Sequence, residues 1–188
     1  MGLFSRWFGP RGPQLRDCVW RDAAACLRGL ESRVQRDLER GHAVLLLTRS
    51  GVDLSALAQS LATRSPKVAD DGYATTDLLA ALATRGALGL SRPDALRPAA
   101  ARSNGASRAS LAVHVRARDL RRSGDARLLS LLEPFAPTSI VFHHALDDEL
   151  LRAHTRQLAP LLQKLGLGQD EAIESRVLSR ALERAQRD

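Results

Sequence analysis

The stretch Ala43-Val-Leu-Leu-Leu-Thr48 carries no charge and no alternation, and the turn residues Arg49-Ser50-Gly51 follow it at once. A strand with one wet face alternates apolar and polar side chains. An unbroken apolar run of this length therefore reads as a strand covered on both faces, as in a parallel sheet between two helical layers. Behind it, Ser50 or Asp53 can cap a helix through Leu54, Leu57, Ala58 and Leu61, which makes a strand-to-helix unit. Ahead of it, Leu27, Leu30, Val34 and Leu38 recur at helical spacing and predict a helix over 17–40, with Asp17 as its cap and Gly41 just past its end.

The alternation continues along the chain. Residues 68–75 predict a short strand, Thr76 or Asp77 caps a helix through Leu78, Leu79 and Leu82 that ends at Gly86, and 89–107, with Pro93, Pro98 and Asn104-Gly105, reads as a loop. Strands are expected over 111–115 and 139–143, separated by a helix over 125–132 that Pro134 and Pro137 close. The expected fold is α/β, a mostly parallel sheet with helices on both faces in the Rossmann-like manner, plus a C-terminal helical extension. In that extension Asp147 caps Leu150 and Leu151, Pro160 interrupts, and Leu161, Leu162 and Leu165 end at Gly166. A last helix over 174–187 places Val177, Leu178, Ala181, Leu182 and Ala185 on one side, which needs the domain or another copy to cover it. A length of 188 residues suits one core with a tail. The expected division is an extension over 1–15, an α/β lobe over 16–146 and a helical segment over 147–188.

Net charge is +7 and the pI is near 10.8, yet only Lys67 and Lys164 among the 28 basic residues are lysine. Aromatic residues are 4%, and the arginines are spread along predicted helices, often beside Asp or Glu. A nucleic-acid binder gathers its charge and interleaves aromatics, so solvated helix faces are the first reading and an anionic partner the second. No apolar run approaches the ~18 residues of a membrane-spanning helix, and no apolar segment with a cleavage site opens the chain; a cytoplasmic location is expected. Phe4, Trp7 and Phe8 beside Arg6 and Arg11 form a short extension that packs on the domain or touches a membrane peripherally. Arg6 breaks the myristoylation pattern. Cys18 and Cys26, if in one helix, lie ~12 Å apart along its axis, beyond the ~7 Å reach of a disulfide. They are expected as free thiols used for packing.

The usual nucleotide equipment is missing: there is no Gly-x-x-x-x-Gly-Lys-Ser/Thr and no Gly-x-Gly-x-x-Gly. Thr48, Arg49 and Ser50 precede a helix whose first amides could receive an anion, although an ordinary strand-to-helix turn has the same pattern. His143-His144 with Asp147-Asp148 offers zinc-ligand types. Neighbours on a regular strand point to opposite faces, so the two histidines do not converge and no metal is expected. No Gly-x-Ser-x-Gly elbow marks a hydrolase, and no cofactor is expected.

The final quarter has a more specific pattern: Phe142-His-His-Ala-Leu146-Asp147-Asp148-Glu-Leu150-Leu151-Arg152, then Leu162-Gln-Lys164-Leu165-Gly166-Leu167, then Asp170-Glu171-Ala172-Ile173-Glu174-Ser175, then Ser179-Arg180-Ala181-Leu182-Glu-Arg-Ala185-Gln186. It resembles the bacterial SecA preprotein translocase motor, where the second nucleotide-binding lobe passes into the helical scaffold. The resemblance implies a stand-alone, degenerate RecA-like lobe, a P-loop NTPase relative with the start of the scaffold helix. The motor's first lobe, with its phosphate loop, has no counterpart. Ala126, Leu128, Ser130 and Glu133 stand roughly where the motor's second lobe has the Gln and arginines that reach ATP, so the activity does not carry over.

The leading expectation is a non-catalytic interaction module linked to protein export. Leu150, Leu151, Arg152, Val177, Leu182 and Gln186 would be its partner-binding residues, and export machinery or a second copy its partner. The alternative is an arginine-rich protein binding nucleic acid or another anionic surface through Arg116/Arg118 and Arg121/Arg122, with Thr48, Arg49 and Ser50 as a weak anion site. An enzyme using His143, Asp147 and Asp148 is a third reading, which requires those groups to share one cleft.

Overall fold

A computed structural model describes residues 12–69, 75–98, 109–152, 168 and 171–187. The elements in chain order are β1 (Gln14–Trp20), α1 (Ala23–Glu39), β2 (Ala43–Thr48), α2 (Gly51–Ser60), β3 (Lys67–Ala69), α3 (Thr75–Ala81) and β4 (Leu88–Ser91). They continue with β5 (Leu111–Arg116), α4 (Arg122–Leu132), β6 (Ser139–Ala145), α5 (Glu149–Arg152), β7 (Ile173–Glu174) and α6 (Arg176–Ala185). Seven strands make one sheet in the order β3-β4-β2-β5-β6-β1-β7. Every neighbouring pair is parallel except β7, which runs antiparallel to β1.

The apolar run at 43–48 is fully buried, as a strand between two layers must be. Val44 and Leu46 meet Leu30, Val34 and Leu38 of α1 and Leu57 of α2 on one face. Leu45 and Leu47 meet Leu78 and Leu79 of α3 and Leu128 and Leu132 of α4 on the other. The expected α/β architecture with helices on both faces is therefore what forms.

Several local expectations are corrected. Residues 17–20 are strand, because Gln14–Trp20 pairs with β6 from Gln14↔Ser139 to Trp20↔Ala145. The helix starts at Ala23 instead, capped by Asp22, whose Oδ1 accepts from the Ala25 amide at 2.8 Å. Cys18 thus lies in β1 and Cys26 in α1; both are buried free thiols. Burial pushes the Cys18 thiol up, and Cys26 up to about 12, so both stay protonated. The start of the expected loop, at 89–91, belongs to a buried strand, Leu88–Ser91, that lies between β3 and β2. Gly89 fits there because a Cβ would fall 2.7 Å from Leu78 Cδ1. Ser50, not Asp53, caps α2, and α5 follows Asp148, whose carbonyl accepts from Leu151 and Arg152, rather than Asp147. The segment after Leu146 is not helix alone, since Ile173–Glu174 joins the sheet edge. The expectations for Phe4, Trp7, Phe8, Pro160, Leu161, Leu162, Leu165 and 99–107 lie outside the described residues.

Trp20 ends β1 by lying across α1 at Gly29, where a Cβ would sit 1.9 Å from Trp20 Cη2. Gly29→Ala must displace the indole, at a cost of ~1–3 kcal/mol for overpacking that exceeds the gain of up to ~1 kcal/mol in helix propensity. In urea unfolding, Gly29→Ala should lower the midpoint while Gly51→Ala, with open space around it, should not. An unchanged Gly29→Ala midpoint would show that the indole is not held there.

Candidate functional site

Open α/β sheets bind ligands at the carboxyl ends of their strands, where the strand order reverses. Here β4 flanks β2 on one side and β5 on the other, so that point lies at Thr48–Ser50 and Arg116–Asp119. Thr48 is buried, and its Oγ1 accepts from the Ser50 amide at 3.3 Å; Ser50 Oγ accepts from the Asp53 amide at 3.2 Å. Arg49 Nη1 lies 3.0 Å from Asp119 Oδ2, and its Nη2 3.7 Å from Asp125 Oδ1. Arg116 donates to both oxygens of Asp148 at 2.6 and 2.7 Å, and Asp148 also accepts from the Ala145 amide at 2.7 Å. The Nε of Arg116 has no hydrogen-bond partner; Asp53 Oδ2 is 4.0 Å away. Burial alone would lower the Arg116 pKa, but the Asp148 bonds raise it above its ordinary value. Each arginine here is thus neutralised by a carboxylate of its own chain, and Asp53 puts a negative charge in the first turn of α2.

Ala117 has a left-handed backbone, φ +63, and its amide donates to the His143 carbonyl at 2.8 Å. This breaks the alternation that would have put Arg118 on the same face as Arg116. Arg118 instead crosses over the Phe142 ring, 4.5 Å from its centroid, to reach Asp17 on β1. Its Nε and Nη2 meet Asp17 Oδ1 and Oδ2 at 2.7 and 3.0 Å, and its Nη1 meets Asp125 Oδ2 at 3.2 Å. His144 Nε2 is 3.1 Å from Asp17 Oδ1. Desolvation pushes the Asp17 pKa up, but the His144 and Arg118 bonds and the Arg118 charge outweigh it and hold the carboxyl well below its usual range. Gln186 Nε2 closes the network on the Asp119 carbonyl at 2.8 Å and on Asp125 Oδ2 at 2.7 Å.

A second buried chain lies on the α1 face. The Trp20 indole can only donate, so its 3.4 Å bond makes His143 Nδ1 an acceptor. His143 Nε2 then donates to His114 Nδ1 at 3.0 Å, and His114 Nε2 to Asp37 Oδ2 at 3.0 Å. His143 is fully buried, and burial keeps its pKa well below 6.5. His143 and His144 face opposite sides of the sheet, as strand alternation requires. Among the described residues no group of three or more His, Cys, Asp or Glu is placed to hold a metal ion.

Of the residues singled out for partner binding, Leu150, Leu151 and Leu182 pack internally with Val19 and Leu146, and Gln186 is inside the network above. Arg152 is exposed, and Val177 is 78% exposed. Arg116 and Arg118, expected to face an anionic partner, are buried on carboxylates and present no charge outward. Arg121 and Arg122 are exposed; the Arg121 amide donates to Asp119 Oδ1 and Arg122 Nε to the Glu183 carbonyl. Leu128 is in the core, and Ser130 Oγ donates to the Ala126 carbonyl. The burial and pairing of Asp17, read from sequence as a helix cap, and of Asp125 escaped the sequence reading; Arg-Ala-Arg-Asp at 116–119, directly after the expected strand, was the available signal.

No protein-family model matches the chain. A stretch of 53 residues, 27% of the chain, is 43% identical to the protein translocase subunit SecA of Elusimicrobium minutum (strain Pei191). A stretch of 52 residues is 44% identical to SecA of Clostridium tetani (strain Massachusetts / E88). Each match spans only 6% of the SecA subunit. A short SecA-related segment thus sits within an α/β sheet fold. Among the described residues no helix is long and apolar enough to cross a membrane.

Removing one member of the buried pair leaves the other charge uncompensated, so Asp17→Ala should cost ~3–5 kcal/mol in urea unfolding; a loss below ~1 kcal/mol, the value of an exposed pair, would show that Arg118 is solvated. The pH dependence has two stages. The unfolded chain protonates His143 first, so that group's contribution is complete above pH 6.5 and declines as pH falls below it. Asp17, with its folded pKa depressed, contributes fully above pH 3.8 and loses that contribution as pH falls further. The urea midpoint should accordingly drop in two steps on acidification, with His143→Gln flattening the first and Asp17→Asn the second. A single step unaffected by either variant would contradict the assignment.

Proposed function

We propose that the chain is a non-catalytic, SecA-like interaction module of the cytoplasm that works with protein export. What carries this reading is that Arg49, Arg116 and Arg118, the arginines at the carboxyl ends of β2 and β5, are consumed by Asp119, Asp148, Asp17 and Asp125 and so are not free to stabilise a phosphoryl group there. The SecA-related segment supports the link to export. Leu150, Leu151, Leu182 and Gln186 act by holding α6 on the sheet, and the outward part of that surface, Val177 with Arg152, is what a partner meets.

A tagged pull-down from the native cell, nuclease-treated and washed at physiological salt, tests this. Export-machinery proteins should be recovered with the native chain and lost with Val177→Asp, a change at an exposed position that spares the fold. Recovery of ribosomes or nucleic-acid proteins alone, with affinity falling steeply as salt rises, would support the anionic-surface alternative. ATP turnover that disappears on replacing Arg121 and Arg122 would overturn the non-catalytic assignment.

A further inference from the structure

The amino ends of β1, β5 and β6 carry a concavity of about 410 Å³, at the opposite end of the sheet from the crevice already described. Among the described residues its walls hold Arg16 from β1, Arg33 and Arg36 from α1, Arg40 at the C-cap of α1, and His42, against a single carboxylate, Asp37. The contrast with the other end lies in how these cations are used. Arg16 donates to a neutral oxygen, Gln14 Oε1, at 2.6 Å, and Arg36 Nε to the Ser32 carbonyl at 3.4 Å. Arg40 is 3.8 Å from Asp37 Oδ1 and mostly exposed. Arg33 pairs with Glu174 through Nη2, but its buried Nε has no hydrogen-bond partner, and neither has the buried Nδ1 of His42. Arginines in a last helical turn can serve only to offset the helix dipole. That does not account for Arg16, which comes from a strand, nor for two orphaned buried nitrogens.

We infer that this concavity is a binding site for a compact diphosphate or polyphosphate anion. Guanidinium groups match phosphoryl oxygens in paired, charge-assisted hydrogen bonds, and Arg16, Arg36 and Arg40 offer such groups from the wall. The volume is in the range of small-molecule sites, which run from ~300 to 1,000 Å³. Among the described residues no aromatic side chain other than the histidines lines it and Val141 is the one apolar lining residue, so these offer no platform for a stacked base or an acyl chain. The ligand is therefore hydrophilic and held by its charge, either inorganic or as the phosphoryl end of a small metabolite. This inference is independent of the proposed export role.

Calorimetric titration of the full chain with inorganic pyrophosphate at physiological salt tests the site, with a sugar diphosphate in a parallel arm to distinguish the two sources. Saturable one-site binding is expected. Arg16→Gln with Arg36→Gln should weaken it about tenfold or more, each substitution removing a charge-assisted contact. Arg180→Gln, the same charge change at an exposed position on α6, should leave it unchanged. The His42 and His114 ring resonances should move on titration, and unfolding midpoints of the variants without ligand should match the native chain. Absence of saturation by either ligand, equal weakening by Arg180→Gln, or tight binding of duplex or single-stranded nucleic acid that pyrophosphate does not displace would each overturn the assignment.

Discussion

The ion pair between Asp17 and Arg118 holds together parts of the chain that lie 101 residues apart in sequence. It joins β1 to the turn after β5, across β6, and through Asp125 it reaches α4. Taking two charges out of water is costly, and an apolar pair of similar shape would hold the fold at least as well. The arrangement is viable because few polar positions around the pair are wasted. Both Asp17 oxygens accept from Arg118, Oδ1 also faces His144, and Asp125 accepts from Arg118, the Asp119 amide and Gln186. One orphan remains, the buried Nδ1 of His144. The pair's contribution is geometric: the C-terminal turn fits one place, where Gln186 completes the network and Arg187 exchanges backbone bonds with Leu120 and Arg122.

The same residue type is used in two ways at the two ends of the sheet. At the carboxyl ends arginines serve the interior, cancelled by aspartates brought from β1, α4 and the start of α5. At the amino ends α1 sets Arg33, Arg36 and Arg40 along its last turns and C-cap, with Asp37 the one carboxylate among the described residues of the wall. Net charge does not distinguish these situations, because it is a sum over the whole chain and does not say which guanidinium a neighbouring carboxylate cancels. The Asp37–His114–His143–Trp20 chain connects the basic concavity to the centre of the α1 face by directed hydrogen bonds.

The layered α/β fold was legible from the run at 43–48, since a strand with no polar position has to be covered twice. The opposed directions of His143 and His144 were legible from strand alternation. The first strand was hidden because Asp17 resembles a helix cap and the leucines beyond it keep helical period; its pairing partner lies more than a hundred residues away. Leu88–Ser91 was hidden by Gly89 and Pro93, which ordinarily mark a loop, although Gly89 is there to admit the Leu78 side chain. Of the buried network the sequence offered Arg-Ala-Arg-Asp at 116–119 but not its arrangement, because a left-handed Ala117 decides which face Arg118 serves. Local sequence does not encode that choice; the packing of Phe142 and Asp17 does.

The register of β1 also sets an order of events during synthesis. The four strands β3, β4, β2 and β5 lie within residues 43–116 and can associate with one another early. β1 leaves the ribosome before all of them, yet its neighbours β6 and β7 begin only at Ser139 and Ile173. At elongation rates of ~5–20 residues per second this leaves it without a strand partner for on the order of ten seconds. A charge on an unpaired strand opposes mispairing, and Asp17 is such a charge until Arg118 and His144, its partners in the folded chain, are available to enclose it. The residue that fixes the finished fold is thus also the gatekeeper of the nascent one.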